Sequence, residues 1–232
     1  MKKPEMIFFA LGLGALAACQ GDPKADESGP PIEIESANMI DDFEDGNGAI
    51  ISQGLRAGDW FTYKDDTPGG MLTPLPDTTI KPEKGEDGGQ YLHLQGSGLG
   101  MWGAGAGFHL AFDAAANKPG LYDLSSFEGI AFEAKGNVPV SVAISMPQVL
   151  PPNEGGTCMD NEMMTLCHDV HKREVRISNE WKQYKVKFSD LNQDGYSMMT
   201  VAWDPTMAVA VQFDVPAGSG MFEFFLDNIG LY

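Results

Sequence analysis

Residues 138–146 read Val-Pro-Val-Ser-Val-Ala-Ile-Ser-Met, and in this stretch large apolar side chains occupy every second position. Small residues fill most of the positions between them. Side chains of a β-strand point alternately to opposite faces, whereas a helix would repeat about every 3.6 residues. The stretch therefore predicts a strand with one face buried in a core.

The same alternation recurs on both sides of this strand. Tyr184, Val186 and Phe188 alternate with lysines, and the valine-rich segment 209–215 alternates with Ala210, Gln212 and Asp214. Further strands are expected near residues 39–45, 59–64, 90–96, 101–112, 128–135, 171–177 and 221–231. Glycine- and proline-rich turns separate them, and no long amphipathic pattern interrupts them. We therefore predict an all-β fold, a two-sheet antiparallel jelly-roll sandwich.

The first residues have the layout of an export signal. Lys2 and Lys3 precede an apolar run from Met6 to Ala18, which is shorter than the roughly 20 residues of a membrane-spanning helix. Leu16-Ala17-Ala18-Cys19 resembles the lipobox of bacterial lipoproteins. An ordinary secretory peptide that happens to end beside a cysteine is the alternative interpretation.

The lipoprotein resemblance implies how the chain is divided and where it lies. Residues 1–18 would be the signal peptide, Cys19 would carry the diacylglyceryl and palmitate chains, and 19–38 would form a flexible tether to a β-sandwich domain at 39–232. The partner of Cys19 would be the lipid bilayer. Gln20, in place of an aspartate, implies the outer membrane of a two-membrane bacterium.

The charge of the chain restricts its partners. The formal net charge is −18 at neutral pH. An acidic surface of this kind repels phosphate backbones, so nucleic acid is excluded as a partner. Neutral and cationic ligands remain open.

Several segments, taken in order, resemble a known family. They resemble the galactose-binding-like sandwiches of carbohydrate-binding module family 11 and of the CIA30-like proteins, and they are residues 40–45, 58–63, 101–107, 122–125, 129–132, 180–184 and 225–229. The resemblance implies a jelly roll, often with a structural calcium ion, whose concave sheet or loop edge binds sugar chains. It implies no catalysis.

Carboxylates crowd the start of the predicted domain at Asp41, Asp42, Glu44 and Asp45. If residues 40–45 are extended, Asp42 and Glu44 share one strand face. With Asp227 they could supply oxygen ligands to a structural calcium ion. The alternative is a solvated acidic edge that deters edge-to-edge strand pairing.

A second acidic string, residues 190–195, matches the first half of an EF-hand loop. Position twelve of that loop is Val201, where a bidentate glutamate is required. We therefore expect an ordinary acidic turn.

Cys158 and Cys167 form the pair that remains when Cys19 is taken by lipid. In an oxidising compartment this pair predicts a disulfide. Zinc is the competing interpretation, because His168 and His171 follow closely and are also ligand types.

The candidate ligand-binding residues are Trp60, Tyr63, Trp102 and Gln212. Flat aromatic rings stack on the apolar C–H faces of sugars, and an amide can hydrogen-bond hydroxyl groups. Packing of the aromatics in the core, and a solvated strand face at Gln212, are the alternatives. Trp181 is expected to be structural.

Two functions fit these features. Neither a Gly-x-Ser-x-Gly elbow nor a His-Glu-x-x-His motif occurs in the sequence, so we do not expect an enzyme. The first hypothesis is a membrane-anchored, non-catalytic lipoprotein that binds carbohydrate. The second is a structural lipoprotein that uses the same sandwich to contact an envelope protein.

Overall fold

The computed structural model describes residues 30–86, 88–113, 115–160, 166–197 and 199–232. The predicted signal peptide and Cys19 lie outside these residues. Within them, regular structure consists of β-strands and short 3₁₀ turns. Among the described residues, no helix is long and apolar enough to cross a membrane.

Fourteen strands are present in the described part of the chain. In chain order they are β1 (Met39–Asp41), β2 (Trp60–Lys64), β3 (Met71–Thr73), β4 (Glu83–Lys84), β5 (Gln90–Ser97), β6 (Gly103–His109), β7 (Phe112–Asp113), β8 (Lys118–Pro119), β9 (Gly129–Gly136), β10 (Pro139–Ser145), β11 (His171–Arg176), β12 (Lys182–Lys187), β13 (Ala210–Pro216) and β14 (Phe222–Leu231). The 3₁₀ turns are Pro147–Val149, Pro152–Glu154, Phe188–Asp190 and Pro205–Met207.

Two antiparallel sheets form the body of the molecule. Sheet one has the order β12-β9-β14-β5-β3, with β1 also paired to β14 and β4 to β5, and sheet two has the order β11-β10-β13-β6-β2. Strands β7 and β8 form a separate pair. Neighbouring strands are mostly distant in sequence because the chain crosses repeatedly between the sheets. The predicted all-β, two-sheet antiparallel jelly-roll sandwich is confirmed.

The core lies between the two sheets. Val140, Val142 and Ile144 of β10 are fully buried, as the alternation of residues 138–146 predicts. Phe213 of β13 and Phe132 of β9 pack edge to face across the core, with ring centroids 5.1 Å apart. The remaining face of each sheet therefore points outward.

The first predicted strand is shorter than expected. Strand β1 ends at Asp41, and Phe43 has a positive φ of 56°, which breaks the extended conformation. Asp41 is buried, and its carboxylate accepts hydrogen bonds from the Phe43 amide at 2.9 Å and the Trp60 indole at 2.6 Å. The prediction that Asp42 and Glu44 share one strand face is therefore wrong.

Residues that precede β1 contact sheet one. Gln183 of β12 exchanges two hydrogen bonds with the backbone of Ile32, at 2.6 and 2.9 Å. Ile34 lies close over Gly230, where an added Cβ would stand 2.3 Å from the isoleucine Cγ2. This segment thus covers part of the outer face of sheet one.

Candidate functional site

The outer face of sheet two is built around a strand that is almost free of side chains. Strand β6 runs Gly-Ala-Gly-Ala-Gly-Phe-His, and its alanines and phenylalanine are buried in the core. Gly103, Gly105 and Gly107 therefore occupy the outward positions of this strand. Aromatic residues of β2 and polar residues of β13 flank this bare strip on either side.

Tyr63 lies across the strip. In the register of the sheet, Gly105 pairs with both Tyr63 of β2 and Asp214 of β13. The Tyr63 hydroxyl donates a hydrogen bond to Oδ1 of Asp214. A Cβ at Gly105 would lie 2.5 Å from Cζ of Tyr63, so the ring occupies the space that a side chain would fill.

Phe61 lies over Gly107 in the same manner but is less accessible. A Cβ at Gly107 would meet Cζ of Phe61 at 3.0 Å. Phe61 also packs against Leu150, Val209 and Ala210, so the loop after β10 covers this end of the face. The open part of the face therefore begins at Tyr63.

Trp102 stands beside Tyr63 at the open end. Its side chain is 55% exposed, and the two rings stack with centroids 6.2 Å apart and an interplanar angle of 27°. The turn that carries Trp102 is fixed by Asp65, whose buried carboxylate accepts hydrogen bonds from the amides of residues 101–103 at 2.8, 3.0 and 2.9 Å. Although burial opposes the charged form, hydrogen bonds from Thr67 and from the amides of Met101 and Gly103 hold the pKa of Asp65 below its usual value.

The electrostatics of the face centre on Asp214. Burial raises its pKa to about 6, while the Tyr63 hydroxyl and the charge of Lys172 act in the opposite direction. Burial and the adjacent Asp214 carboxylate raise the pKa of Tyr63 well above its usual value, whereas a hydrogen bond with Gln212 lowers it. Tyr63, Gln212 and Asp214 thus form one polar network on the outer face.

A folded loop stands at the opposite edge of sheet two. Asp169 is buried, and its carboxylate accepts hydrogen bonds from the amides of Asp194 and Gly195, each at 3.0 Å. The hydroxyl of Ser197 donates to the same carboxylate at 3.0 Å. The segment that resembles half an EF-hand is therefore a turn whose amides face a carboxylate.

This loop presents Tyr196, which is 52% exposed. Burial and the nearby carboxylates, first Asp169 and then Asp194 and Asp214, raise its pKa to about 12. Lys172 joins the loop to strand β11 through an ion pair with Asp194 at 2.6 Å. Aromatic side chains therefore stand at both edges of the outer face.

Trp60 does not belong to this surface. Its side chain is only 4% exposed and packs against Phe108 in the core, with ring centroids 4.7 Å apart. Its prediction as a ligand-binding residue is wrong, because alternation along β2 turns Trp60 inward and Tyr63 outward. The structure thus brings together Tyr63, Trp102 and Gln212 and leaves Trp60 out.

The carboxylates expected to bind calcium lie where β1 meets β14 of sheet one, but the oxygens of Asp42, Glu44 and Asp227 do not all lie within 4.8 Å of one another, so a calcium ion would have to draw them together. Burial, followed by the negative charges of Glu133, Glu44 and Asp42, raises the pKa of Asp227 to about 7. The charged groups that act on Asp227 are thus all acidic. A cation placed here would offset both the burial and the mutual repulsion.

Cys158 and Cys167 form the predicted disulfide, with their Cα atoms 5.6 Å apart. In the described residues, Asp160 and these two cysteines are the only three-residue group whose metal-binding atoms all lie within 4.8 Å of one another. The disulfide leaves no thiolate for zinc. His171 is buried against Trp203, whereas His168 lies beside Glu154.

Comparisons with known proteins agree with this architecture. No profile of a known protein family matches the chain. The chain is 26% identical over 226 residues to an endoglucanase 3 of Fibrobacter succinogenes, in an alignment that covers 90% of this chain and 30% of that enzyme. The chain thus spans less than a third of the length of this relative.

Two solved structures have a similar fold. One is a family 11 carbohydrate-binding module from Clostridium thermocellum in complex with a β-1,3-1,4-mixed-linked tetrasaccharide; it is 17% identical with a TM-score of 0.50, and the match covers 84% of this chain and 94% of the module. The other is the family 11 module of a cellulosomal cellulase of the same organism, also 17% identical with a TM-score of 0.50, and the match covers 87% of this chain and 95% of that one. The predicted resemblance to family 11 modules is confirmed at the level of the fold.

Proposed function

We propose that this chain binds neutral polysaccharide through the outer face of sheet two. The observation that carries the proposal is the stacked pair Tyr63 and Trp102, which lies beside the hydrogen-bonding groups of Gln212 and Asp214. Flat rings cover the apolar C–H faces of sugars, and adjacent polar groups bind their hydroxyls. The bare glycine strip lets the Tyr63 ring lie low over the sheet.

The charge of the chain restricts the ligand to neutral or cationic polymers. The net charge is −18, and Asp214 adds a carboxylate at the centre of the face. Acidic polysaccharides would be repelled from such a surface. β-Glucans are the first probes, because one structural neighbour was solved with a mixed-linked β-glucan tetrasaccharide and the sequence relative is an endoglucanase.

Titration calorimetry of the full chain with mixed-linkage β-glucan and with cello-oligosaccharides tests the proposal. We expect Trp102→Ala to weaken binding at least about ten-fold, as loss of an aromatic hot spot does. Met101→Ala is the matched control, since Met101 adjoins Trp102 and is 66% exposed. Equal affinities of the two variants and the unaltered chain would reject this face as the binding surface.

The chain is proposed to bind without hydrolysing its ligand. One oxygen of Asp214, the central carboxylate of the face, already accepts a hydrogen bond from the Tyr63 hydroxyl. We expect no release of reducing ends from β-glucan during prolonged incubation. The competing function is a structural lipoprotein that contacts an envelope protein. In that case envelope extracts should retain the chain, Trp102→Ala should not weaken this retention, and free oligosaccharide should not compete with it.

Membrane anchoring through Cys19 is part of the proposal and rests on the sequence Leu16-Ala17-Ala18-Cys19. Two or three acyl chains hold a protein at a bilayer far more firmly than one. Metabolic labelling with an alkyne analogue of palmitate should mark the unaltered chain and spare Cys19→Ser. Separation of the inner and outer membranes then tests the proposed outer-membrane location.

A structural calcium ion at Asp42, Glu44 and Asp227 is likewise proposed. The all-acidic surroundings of Asp227 support it. Calcium added after chelation should release or absorb heat and raise the melting temperature, and Asp227→Asn should abolish both effects. Asp77→Asn, at an exposed turn, is the control. An unchanged melting temperature in millimolar calcium would remove calcium from the proposal.

A further inference from the structure

The outer face of sheet one carries a second group of aromatic rings. Tyr91, Phe225 and Trp181 form this group, and we call it the sheet-one cluster. Tyr91 meets Phe225 edge to face at 5.4 Å, and Trp181 lies 5.8 Å from Tyr91 and 6.3 Å from Phe225. The cluster is on the opposite side of the sandwich from Tyr63 and Trp102, because β5 and β14 belong to sheet one.

Two nitrogen-bearing side chains fix the orientation of these rings. Lys135 places its Nζ 4.5 Å from the centroid of Phe225 and 5.1 Å from that of Trp181. His93 stacks on Phe225 at 4.1 Å with an interplanar angle of 14°, and it pairs with Glu83 at 3.0 Å. Trp181 nevertheless remains 38% exposed. The cluster is therefore an ordered platform with an accessible indole.

A shallow depression adjoins the cluster on the same face. It measures about 430 Å³. Its lining combines the polar residues Thr73, Gln95, Asn137 and Glu223 with the exposed apolar side chains of Met71 and Met221. Glu223 also connects the two features, since its carboxylate lies 3.5 Å from Nε2 of His93. The amides and the hydroxyl supply hydrogen-bond donors and acceptors close to the rings.

We propose that the sheet-one cluster and this depression form a second binding site for neutral polysaccharide, opposite the first. The combination of flat rings with amide and hydroxyl groups is complementary to a sugar chain and not to a purely apolar partner. Glu83 and Glu223 repel anionic polymers, and the cation of Lys135 is engaged by the rings. A neutral, hydroxyl-rich chain is the ligand class that these groups fit.

The position of the second site determines what it would do. Sheets of a sandwich pack about 10 Å apart, so one short oligosaccharide cannot reach both outer faces. A chain with two such faces would bridge separate polysaccharide strands. Binding to a polymer matrix would then exceed the affinity of either face, by on the order of 100-fold.

The test compares variants of each face in the full chain. Calorimetry with a cello- or mixed-linkage hexasaccharide should give two sites for the unaltered chain and one for Trp181→Ala, and light scattering should show that only the unaltered chain cross-links soluble β-glucan. Trp181→Phe should restore both properties, which separates loss of the ring from loss of the fold. Leu55→Ala, at a residue 84% exposed, is the control for an exposed apolar truncation.

The outcomes separate this inference from the function proposed above. If Trp181→Ala keeps the stoichiometry and cross-linking of the unaltered chain, the second site is rejected, whatever Trp102→Ala does. If Trp181→Ala loses a site and Trp102→Ala does not, the second site stands and the first face fails. If Trp181→Ala instead abolishes self-association of the chain without sugar, the cluster is a protein contact and the inference is overturned.

Discussion

The hydroxyl of Tyr63 donates a hydrogen bond to the carboxylate of Asp214 across the bare backbone of Gly105. Three strands of sheet two meet at this contact, and the middle strand contributes only backbone to the outer face. The bond links the ring that is proposed to stack on sugar to the acid that is proposed to bind its hydroxyls. The protonation of Asp214 should therefore depend on Tyr63.

The pH dependence of stability tests this link. The pKa of Asp214 rises from 3.8 to about 6 in the folded chain, so the folded state holds this proton more tightly than the unfolded state. Ionisation of Asp214 should therefore lower the free energy of unfolding as pH rises from about 4 to about 6. Because the Tyr63 hydroxyl favours the charged form, Tyr63→Phe should raise this pKa further and destabilise the chain more at pH 8 than at pH 5.

Melting temperatures across this pH range, together with an NMR titration of the Asp214 carboxyl carbon, provide the measurement. Tyr91→Phe removes a phenol from the opposite sheet and serves as the control. A Tyr63→Phe variant with the same loss of stability at both pH values would show that the hydroxyl does not act on the charge of Asp214.

Gly105→Ala should damage the binding face with little change in chemistry. The new methyl group would lie 2.7 Å from the carbonyl oxygen of Phe213 as well as close to Tyr63, so the ring must move away from the sheet. We expect a stability loss of about 1–3 kcal/mol and a clear loss of β-glucan affinity. Gly100→Ala is the matched control, because a Cβ there meets only Thr67 at 3.8 Å or more. Affinity as strong in Gly105→Ala as in Gly100→Ala would contradict a role for the Tyr63 ring.

Much of this architecture was predictable from alternation in the sequence. Residues 138–146 predicted β10, and the outward position of Gln212 followed from the valines beside it. Alternation places Trp60 and Tyr63, three positions apart, on opposite faces of β2, but because both are aromatic it does not tell which of them turns inward. It also overextended β1, because the positive φ of Phe43 has no signal in side-chain polarity.

The groups that hold the site were the least predictable. Asp65 is 36–38 positions from the amides that it binds, and Asp169 is 25–28 positions from the loop that it organises. Asp65 belongs to the pair Asp65-Asp66 and Asp169 is a single acid, and acids in polar segments typically indicate only a turn. The glycines of β6 were visible as a run, but the positions of the Tyr63 ring on Gly105 and of the Phe61 ring on Gly107 are fixed by cross-strand register.

Asp65→Asn should loosen the turn of Trp102. One carboxylate oxygen of Asp65 accepts hydrogen bonds from the backbone N–H groups of residues 101–103. The uncharged side chain of an asparagine is a weaker acceptor, and it can also turn its NH₂ group toward these N–H groups. We expect a loss of about 1–3 kcal/mol in the free energy of unfolding and weaker binding of β-glucan. Hydrogen bonding depresses the pKa of Asp65 in the folded chain. The contribution of Asp65 to stability should therefore be fully present above pH 3.8, its pKa in the unfolded chain, and should disappear only in strong acid.

Urea denaturation of Asp65→Asn beside Asp66→Asn measures this effect, since Asp66 is the exposed neighbour with the same charge. Hydrogen exchange at the amides of Trp102 and Gly103 should quicken in the first variant alone. Unchanged exchange at these amides would mean that the turn is held by other contacts.

Removal of the disulfide should separate stability from binding. Cys158 and Cys167 close a short loop, so replacing both with serine should cost about 2–3 kcal/mol of unfolding free energy. The amide of Cys158 donates a hydrogen bond to the carbonyl oxygen of Leu150, whose side chain lies in the apolar group that packs on Phe61 at the covered end of the outer face. Tyr63 and Trp102 lie at the other end of the face, where Asp214 and Asp65 hold them in place.

The doubly substituted chain should therefore melt at a lower temperature yet bind β-glucan with an affinity within about two-fold of that of the unaltered chain. A reductant should lower the melting temperature of the unaltered chain to that of the variant, and it should leave the melting temperature of the variant unchanged. A much larger loss of affinity would mean that the covered end also contacts the ligand.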